Sequence, residues 1–295
     1  MKIQEYLAEQ VEKIEAALDQ YLPAATTKPS NLHESMRYST LAGGKRLRAI
    51  LAMEACAAVG GKAEDALSFA CALEMIHAYT LIHDDLPCMD DDDFRRGKPT
   101  NHKVYGEAIA LLAGDALLTK AMEVIAGLVD QGLDAKVVVK IIKEVTTACG
   151  SEGLIGGQVV DLMSEGKKID QAELEYIHRN KTGKLFLAAL RGGAIIGGAD
   201  EQQLELITCY GENFGLAFQI TDDILDVVGD AEKLGKAVGS DLRQEKSTYV
   251  SIFGLEEAKI QAKRYIDLCS QAAQKLTPDR SALANIAQYV LVRDY

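Results

Sequence analysis

The chain has 295 residues, 48% of them hydrophobic and 26% charged, proportions that suit a globular protein with a sizeable core. A net charge of -12 argues against a nucleic-acid binder, which needs a basic face. Glu5, Glu9, Glu12 and Glu15 interrupt the first apolar pattern, which excludes a signal or transit peptide, and the absence of a run of about 18 apolar residues predicts no membrane span. In chain order, Ile3, Leu7, Val11, Ile14 and Leu18 recur at spacings of four, four, three and four, one stripe on a first helix. Similar patterns predict helices over 45–59, 63–86, 107–129, 134–149, 171–197, 201–228, 256–275 and 280–291. Breaks fall at Pro23, Pro29, Gly60-Gly61, Pro87, Gly132, Gly166, Gly197-Gly198, Gly229 and Pro278. The β-branched run "VVVKII" at 137–142 lies inside a helix-length amphipathic window and reads as helix. No segment alternates with period two between hairpin turns. The fold class is therefore all-α, a single domain over 1–295. The six cysteines form no C-x-x-C pair and mostly sit in apolar stretches, as buried free thiols of a reducing cytoplasm would.

Two acidic motifs stand out. In "LIHDDLPCMDDDDFRRGKPT", Leu81 to Thr100, Asp84 and Asp85 end an apolar helix and Asp90 to Asp93 follow. Carboxylates this close repel one another unless a cation lies between them. Pro87 favours a chain that leaves the helix near Leu86 and loops back, returning Asp90 towards Asp84. Asp91, Asp92 and Asp93 read as a solvated loop. In "QITDDILDVVGD", Asp222, Asp223 and Asp226 share a helix face with Gln219, and the greasy flanks predict that this face is buried. All of these candidate ligands are carboxylate oxygens, which suit a hard cation such as Mg²⁺ with room left for phosphate oxygens.

Basic groups complement them. "GGKRLR" at 43–48 is predicted to open a helix, with Lys45 and Arg48 on one face, a good anion site. Arg95, Arg96 and Lys98 follow the first acidic motif, "NKTGK" supplies Lys181 and Thr182, and "GKAVGSDLRQEKSTYV" supplies Lys236 and Lys246. Arginine forks suit phosphate and lysine adds point charge. His77, seven residues before Asp84, reads on its own as a satisfied core histidine. These clusters on one apolar helical scaffold point to an Mg²⁺-dependent site for a diphosphate with a hydrocarbon tail.

The segments "GGKRLR", "LIHDDLPCMDDDDFRRGKPTNH", "GGQVVDL", "HRNKTGKLF", "FQITDDILD" and "GSDLRQEKSTYV", in this order over essentially the whole chain, resemble the trans-isoprenyl diphosphate synthase family and its short-chain bacterial farnesyl members. Ala49 departs from the proline usual after "GGKRLR", a change that removes no charged group. A terpene cyclase would differ from "DDILD" in its second motif. The resemblance implies a helical fold around a deep cavity, a cytoplasmic homodimer, and head-to-tail condensation of isopentenyl diphosphate with dimethylallyl or geranyl diphosphate. It implies Asp84, Asp90 and Asp222 as principal Mg²⁺ ligands, with Asp85, Asp223 and Asp226 ligating or supporting them. Arg95, Lys181 and Lys236, with Lys246 nearby, are implied to grip the allylic diphosphate. Lys45, Arg48, His77 and Arg96 are implied to hold isopentenyl diphosphate, so that His77 becomes a ligand. Thr182 and Gln219 are implied to point oxygen dipoles at the carbocation.

Product length turns on the helix ending at Asp84. Geometry places Thr80 more nearly beneath Asp84, and Tyr79, about 7.5 Å back along the axis, to one side. The resemblance implies instead that an aromatic at Tyr79, paired with the two-residue insertion Pro87-Cys88, stops the chain at farnesyl diphosphate. The alternative product is geranylgeranyl diphosphate.

Overall fold

A computed structural model describes residues 3–228, 247–277 and 281–293. Its helices are α1 (Ile3–Tyr21), α2 (Ser30–Thr40), α3 (Leu47–Ala58), α4 (Leu67–Asp84), α5 (Asn101–Tyr105), α6 (Glu107–Ala126), α7 (Ala135–Cys149), α8 (Leu154–Ser164), α9 (Gln171–Ile177), α10 (Lys184–Ile196), α11 (Glu201–Val228), α12 (Tyr249–Phe253), α13 (Leu255–Leu276) and α14 (Ala282–Val292). The described residues form a single all-α domain, apart from one two-stranded hairpin, β1 (Phe94–Arg95) against β2 (Lys98–Pro99).

Apolar spacing explains which faces are buried. On α1 it is Leu7, Gln10, Ile14 and Leu18 that go inside, so a glutamine shares the expected stripe. The "VVVKII" run does form a helix. Asp134 caps α7 by accepting from the Lys136 N–H at 2.8 Å, and Val138, Ile141 and Val145 are buried at helical spacing. Each such fully buried aliphatic side chain stabilises the fold by roughly 1.5–3 kcal/mol. An aspartate at Ile141 would bury an unpaired charge there.

Helix α4 is apolar nearly all round because neighbours cover every face: α3, α6, α1, α2 and α10 all pack on it. The stretch Ala63–Asp84 is long and apolar enough to cross a bilayer, and 78% of that window is buried inside the protein, as a core helix is. Helix α10 bridges α3 and α7 to the long α11, against which α13 lies. The charged ends of α4 and α11 are thus both fixed to a common core.

The structure corrects several expectations. Helices α2 and α8 were not anticipated. Sequence α2 is polar because its inner face buries hydroxyls: Ser35 donates to Asn101 Oδ1 at 2.7 Å. In α8, the glycine pair of "GGQVVDL" lies inside the helix. A Cβ on Gly157 would sit 2.3 Å from the Lys181 backbone nitrogen, so glycine serves close helix approach here. The helix expected from 45 begins at Leu47, which leaves Lys45 outside it. The hairpin escaped notice because its strands are two residues long. Its turn, Arg96-Gly97, has φ of 52° and 73° at both central positions, the primed geometry that matches strand twist.

Candidate active site

The first acidic motif closes as Pro87 suggested. Helix α4 ends at Asp84, and the Asp90 N–H then donates back to the Asp84 carbonyl at 2.9 Å, while the Asp91 N–H donates to Leu86. Asp84 and Asp90 are therefore neighbours. Burial pushes the Asp84 carboxyl up to about 6, with Lys181 pulling against the shift and Asp90 adding to it. Such a carboxyl wants either a proton or a further cation. Asp85 points elsewhere. It is buried and receives Arg95 Nε at 2.8 and 3.0 Å and Nη2 at 2.6 Å. Of the rest, Asp91 and Asp93 are exposed, and Asp93 pairs with Lys103, as a solvated loop allows.

The basic groups meet at a cavity of about 830 Å³, lined among others by Lys45, Arg48, His77 and Arg96 together with Leu7, Val11, Phe186 and Phe218. Lys45 reaches it from the loop before α3. Burial, and then the positive charge of Arg293, lower its ammonium to about 8. Arg48 lies over the Phe186 ring at 4.3 Å, and its buried Nε makes no hydrogen bond. Burial lowers Arg48 to about 10, and burial with Arg48 beside it drives His77 well below the usual imidazole range, so His77 is neutral. Arg96, thrown out by the hairpin turn, donates to the Gly43 carbonyl. A Cβ on Gly44 would lie 2.7 Å from that guanidinium, and Gly44 has φ of 130°, so both space and backbone require glycine.

The second acidic motif occupies the last turns of α11. Asp223 is buried; its oxygens accept from Gln219 Nε2 at 3.3 Å and from the Tyr249 N–H at 2.8 Å. Asp226 is also buried, and Asp222 is half-buried. Facing them, His178–Gly183 forms a π-helical turn between α9 and α10, a widening common at functional sites. It carries Lys181 and Thr182. The Thr182 hydroxyl donates to Gln219 Oε1 at 3.1 Å, so the two come together as expected, and each oxygen retains accepting capacity. Lys181 lines a small cavity with Thr182, Gln219 and Asp223, and its charge also acts on Asp84 and Asp90. It thus connects the two acidic motifs. Among the described residues, no three acidic, histidine or cysteine side chains close on one point. The carboxylate oxygens of Asp84, Asp90 and Asp222 are hard donors of the kind that suit Mg²⁺, which takes few protein ligands and fills its shell with water and phosphate oxygens. Lys236 and Lys246 lie outside the described residues.

Tyr79 is buried on α4. Its ring meets His83 edge-on at 5.6 Å, and its buried hydroxyl makes no hydrogen bond. Thr80 is half-buried and donates to the His77 carbonyl at 2.8 Å.

Sequence reasoning missed three partners. Asp161, on α8, accepts from Lys181 Nζ at 2.6 Å; it sits in the noticed "GGQVVDL" segment, where it drew no role. Arg293, just after α14, contacts Asp222 and lies 4.1 Å over the Phe218 ring. Nothing in the sequence near Arg293 distinguishes it from any surface arginine. Arg46, in the middle of "GGKRLR", also borders the cavity, but it is buried and its guanidinium is held by Glu74, Glu15 and the Thr40 carbonyl.

The polyprenyl synthetase family model matches residues 29–286. The chain is 44% identical to a farnesyl diphosphate synthase of Geobacillus stearothermophilus over 100% of this chain and 99% of that protein. It is 45% identical to a geranylgeranyl diphosphate synthase of Cyanophora paradoxa over 98% of this chain and 96% of that protein. Among solved structures, a Helicobacter pylori geranyltransferase complexed with magnesium and isoprenyl diphosphate superposes with a TM-score of 0.84 at 30% identity, covering 99% of this chain and 97% of that one. With the family model over most of its length and relatives of 44–45% identity over nearly the whole chain, the chain belongs to the polyprenyl synthetase family and is a prenyltransferase of isoprenoid biosynthesis.

Proposed function

We propose that this prenyltransferase condenses dimethylallyl or geranyl diphosphate with isopentenyl diphosphate to give farnesyl diphosphate, with Mg²⁺ as cofactor. The observation that supports it best is the large cavity in which Lys45, Arg46, Arg48, His77 and Arg96 share walls with Leu7, Val11, Phe186 and Phe218. A diphosphate with a hydrocarbon tail matches that pairing.

In this reading Lys45, Arg48, His77 and Arg96 hold the isopentenyl diphosphate, and Lys181 and Arg95 grip the allylic diphosphate with Lys236 and Lys246. Asp84, Asp90 and Asp222 would hold Mg²⁺, with Asp85, Asp223 and Asp226 ligating or supporting them. Mg²⁺ when bound supplies the positive charge that stabilises the departing diphosphate. The allylic C–O bond breaks with its electron pair going to that diphosphate. The isopentenyl double bond then attacks the allylic carbon, and a proton passes to the departed diphosphate. Thr182 presents its oxygen to the carbocation, oriented by Gln219. Neutral His77 donates a hydrogen bond without adding charge.

Tyr79 limits the product to three isoprene units in this proposal. Its burial on α4, five residues before Asp84, supports it. The 45% identity to a geranylgeranyl diphosphate synthase favours the longer product as the second reading. Incubation with labelled isopentenyl diphosphate and dimethylallyl diphosphate, followed by chromatography, decides. Farnesyl diphosphate is expected as the main product, lengthening in Tyr79→Ala, and EDTA should abolish turnover until Mg²⁺ is restored. A folded, active Tyr79→Ala enzyme that still stops at farnesyl diphosphate places the floor elsewhere. A homodimer in a reducing cytoplasm belongs to the same proposal. The exposed Leu111 and Leu112 on α6 and six free cysteines support it, and sedimentation tests the assembly.

A further inference from the structure

We propose that Arg46 and Glu74 are a positioning pair: their buried ion pair fixes the turn that sets Lys45 and Arg48 around the basic cavity, and so governs affinity for isopentenyl diphosphate through those two side chains. The proposal rests on the reading of that cavity as the isopentenyl diphosphate site.

Arg46 differs from its neighbours in how thoroughly it is tied down. Its Nη1 donates to Glu74 Oε2 at 3.2 Å, and its Nη2 donates to Glu15 Oε1 at 3.3 Å and to the Thr40 carbonyl at 2.7 Å. The side chains of Arg46 and Glu74 are each only 2% exposed. Arg48, two residues on, instead lies over the Phe186 ring; the Nε of both arginines is buried without a hydrogen bond, so the contrast rests on the three acceptors that hold the Arg46 terminal nitrogens. One arginine is consumed by the protein and the other is left for an anion.

The backbone explains why. Arg46 is the residue just before α3, and it adopts φ of 49° and ψ of 28°, the left-handed region. A side-chain-bearing residue stays there only when its surroundings over-determine it. Three acceptors on one planar guanidinium do so. That turn separates Lys45, which precedes it, from Arg48 in the first turn of α3.

Glu74 adds two further ties. Its Oε1 accepts from the Ala49 N–H at 3.3 Å, so a carboxylate from α4 caps the first turn of α3. It also lies on α4 three residues before His77, on the same face. The pair therefore locks the segment that carries Lys45 and Arg48 to the helix that carries His77. It sets the spacing of all three.

The test is steady-state kinetics with each substrate varied separately, alongside thermal unfolding of the full chain. Arg46→Lys keeps the charge but not the fork that reaches three acceptors. It should raise KM for isopentenyl diphosphate about tenfold or more, while KM for geranyl diphosphate and kcat at saturation change by less than about twofold. Where Arg46→Lys fails to fold, the double variant Arg46→Met/Glu74→Leu replaces the pair with apolar groups and should restore Tm. The KM defect should persist in it. An unchanged KM in folded Arg46→Lys, or a double variant that recovers KM together with Tm, overturns the proposal. Arg48→Ala separates the two readings. If it raises KM for isopentenyl diphosphate and folded Arg46→Lys does not, the positioning role alone falls. If Arg48→Ala leaves that KM unchanged, the site assignment falls and the positioning role with it.

Discussion

Of the arginine–carboxylate pairs at the site, two are built differently. In Arg46–Glu74 both side chains are 2% exposed, and the guanidinium has two other acceptors. In Arg293–Asp222 the arginine is fully buried while the aspartate is 39% exposed, and the arginine keeps Nε and Nη1 buried without hydrogen bonds. In the first pair both partners are buried, although both border the cavity and Arg46 likewise keeps its Nε without a hydrogen bond. The second is open on the carboxylate side, where a cation from solvent can compete for Asp222. A buried pair holds geometry, whereas a half-open pair keeps a ligand neutralised until something replaces its partner.

The largest expected effect breaks the open pair at its functional end. Asp222→Ala should lower kcat by about 10²–10³-fold, the scale of losing a group that stabilises charge in the transition state, and Asp84→Ala should match it. Both are read from saturation kinetics at fixed Mg²⁺. A loss confined to KM would mean that Asp222 serves only ground-state binding.

Next in size is stability. Arg46→Met leaves Glu74 buried and unpaired and should cost about 3–5 kcal/mol. Arg293→Met leaves an aspartate that water can reach and should cost no more than about 1 kcal/mol. Denaturant midpoints of the two variants measure the difference; equal costs would erase the distinction between buried and open.

The smallest effect is a pH dependence. Burial and Arg293 lower Lys45 to about 8. Its cation is thus lost as pH rises through about 8, and kcat/KM for isopentenyl diphosphate, which reports the free enzyme, should fall there. Stability moves the other way. A lysine lowered in the folded state binds fewer protons than the unfolded chain above pH about 8, so this group's penalty is relieved as pH climbs from there towards 10.5. Lys45→Gln should flatten the kinetic profile, and Arg293→Met should shift its midpoint upward. A wild-type profile flat through pH 8 would remove Lys45 from the free-enzyme binding step.

Much of this was legible in the sequence because periodicity and charge are local. The stripe of α1, the amphipathic α7 and the greasy α4 follow from side-chain spacing alone. So does the return of Asp90 to Asp84, since a proline at 87 leaves the chain few other routes. What escaped was non-local. Helix α8 was not predicted, and the role of Gly157 shows only when the Lys181 backbone is seen packed against it. Arg293 acquires meaning only when the chain end is brought to α11. Arg46 reads as a third cation of "GGKRLR", and only the carboxylate beneath it, from 28 residues further on, shows that its charge is already spoken for. The substrate contacts of Lys45, Arg48 and the aspartates came from family resemblance and stay proposals until the variants are made.

The cavity's cations also bear on how a substrate arrives. The chain carries a net charge of -12, so from afar it repels a diphosphate. Within about a Debye length, ~8 Å at physiological ionic strength, the cluster of Lys45, Arg48 and Arg96 takes over. Added salt screens the distant repulsion before it weakens the short-range pull. The encounter rate should therefore be nearly insensitive to moderate salt, or rise slightly, where a basic protein would lose rate steeply. Attraction confined to the mouth of the cavity admits the anion and leaves the rest of the surface indifferent to it.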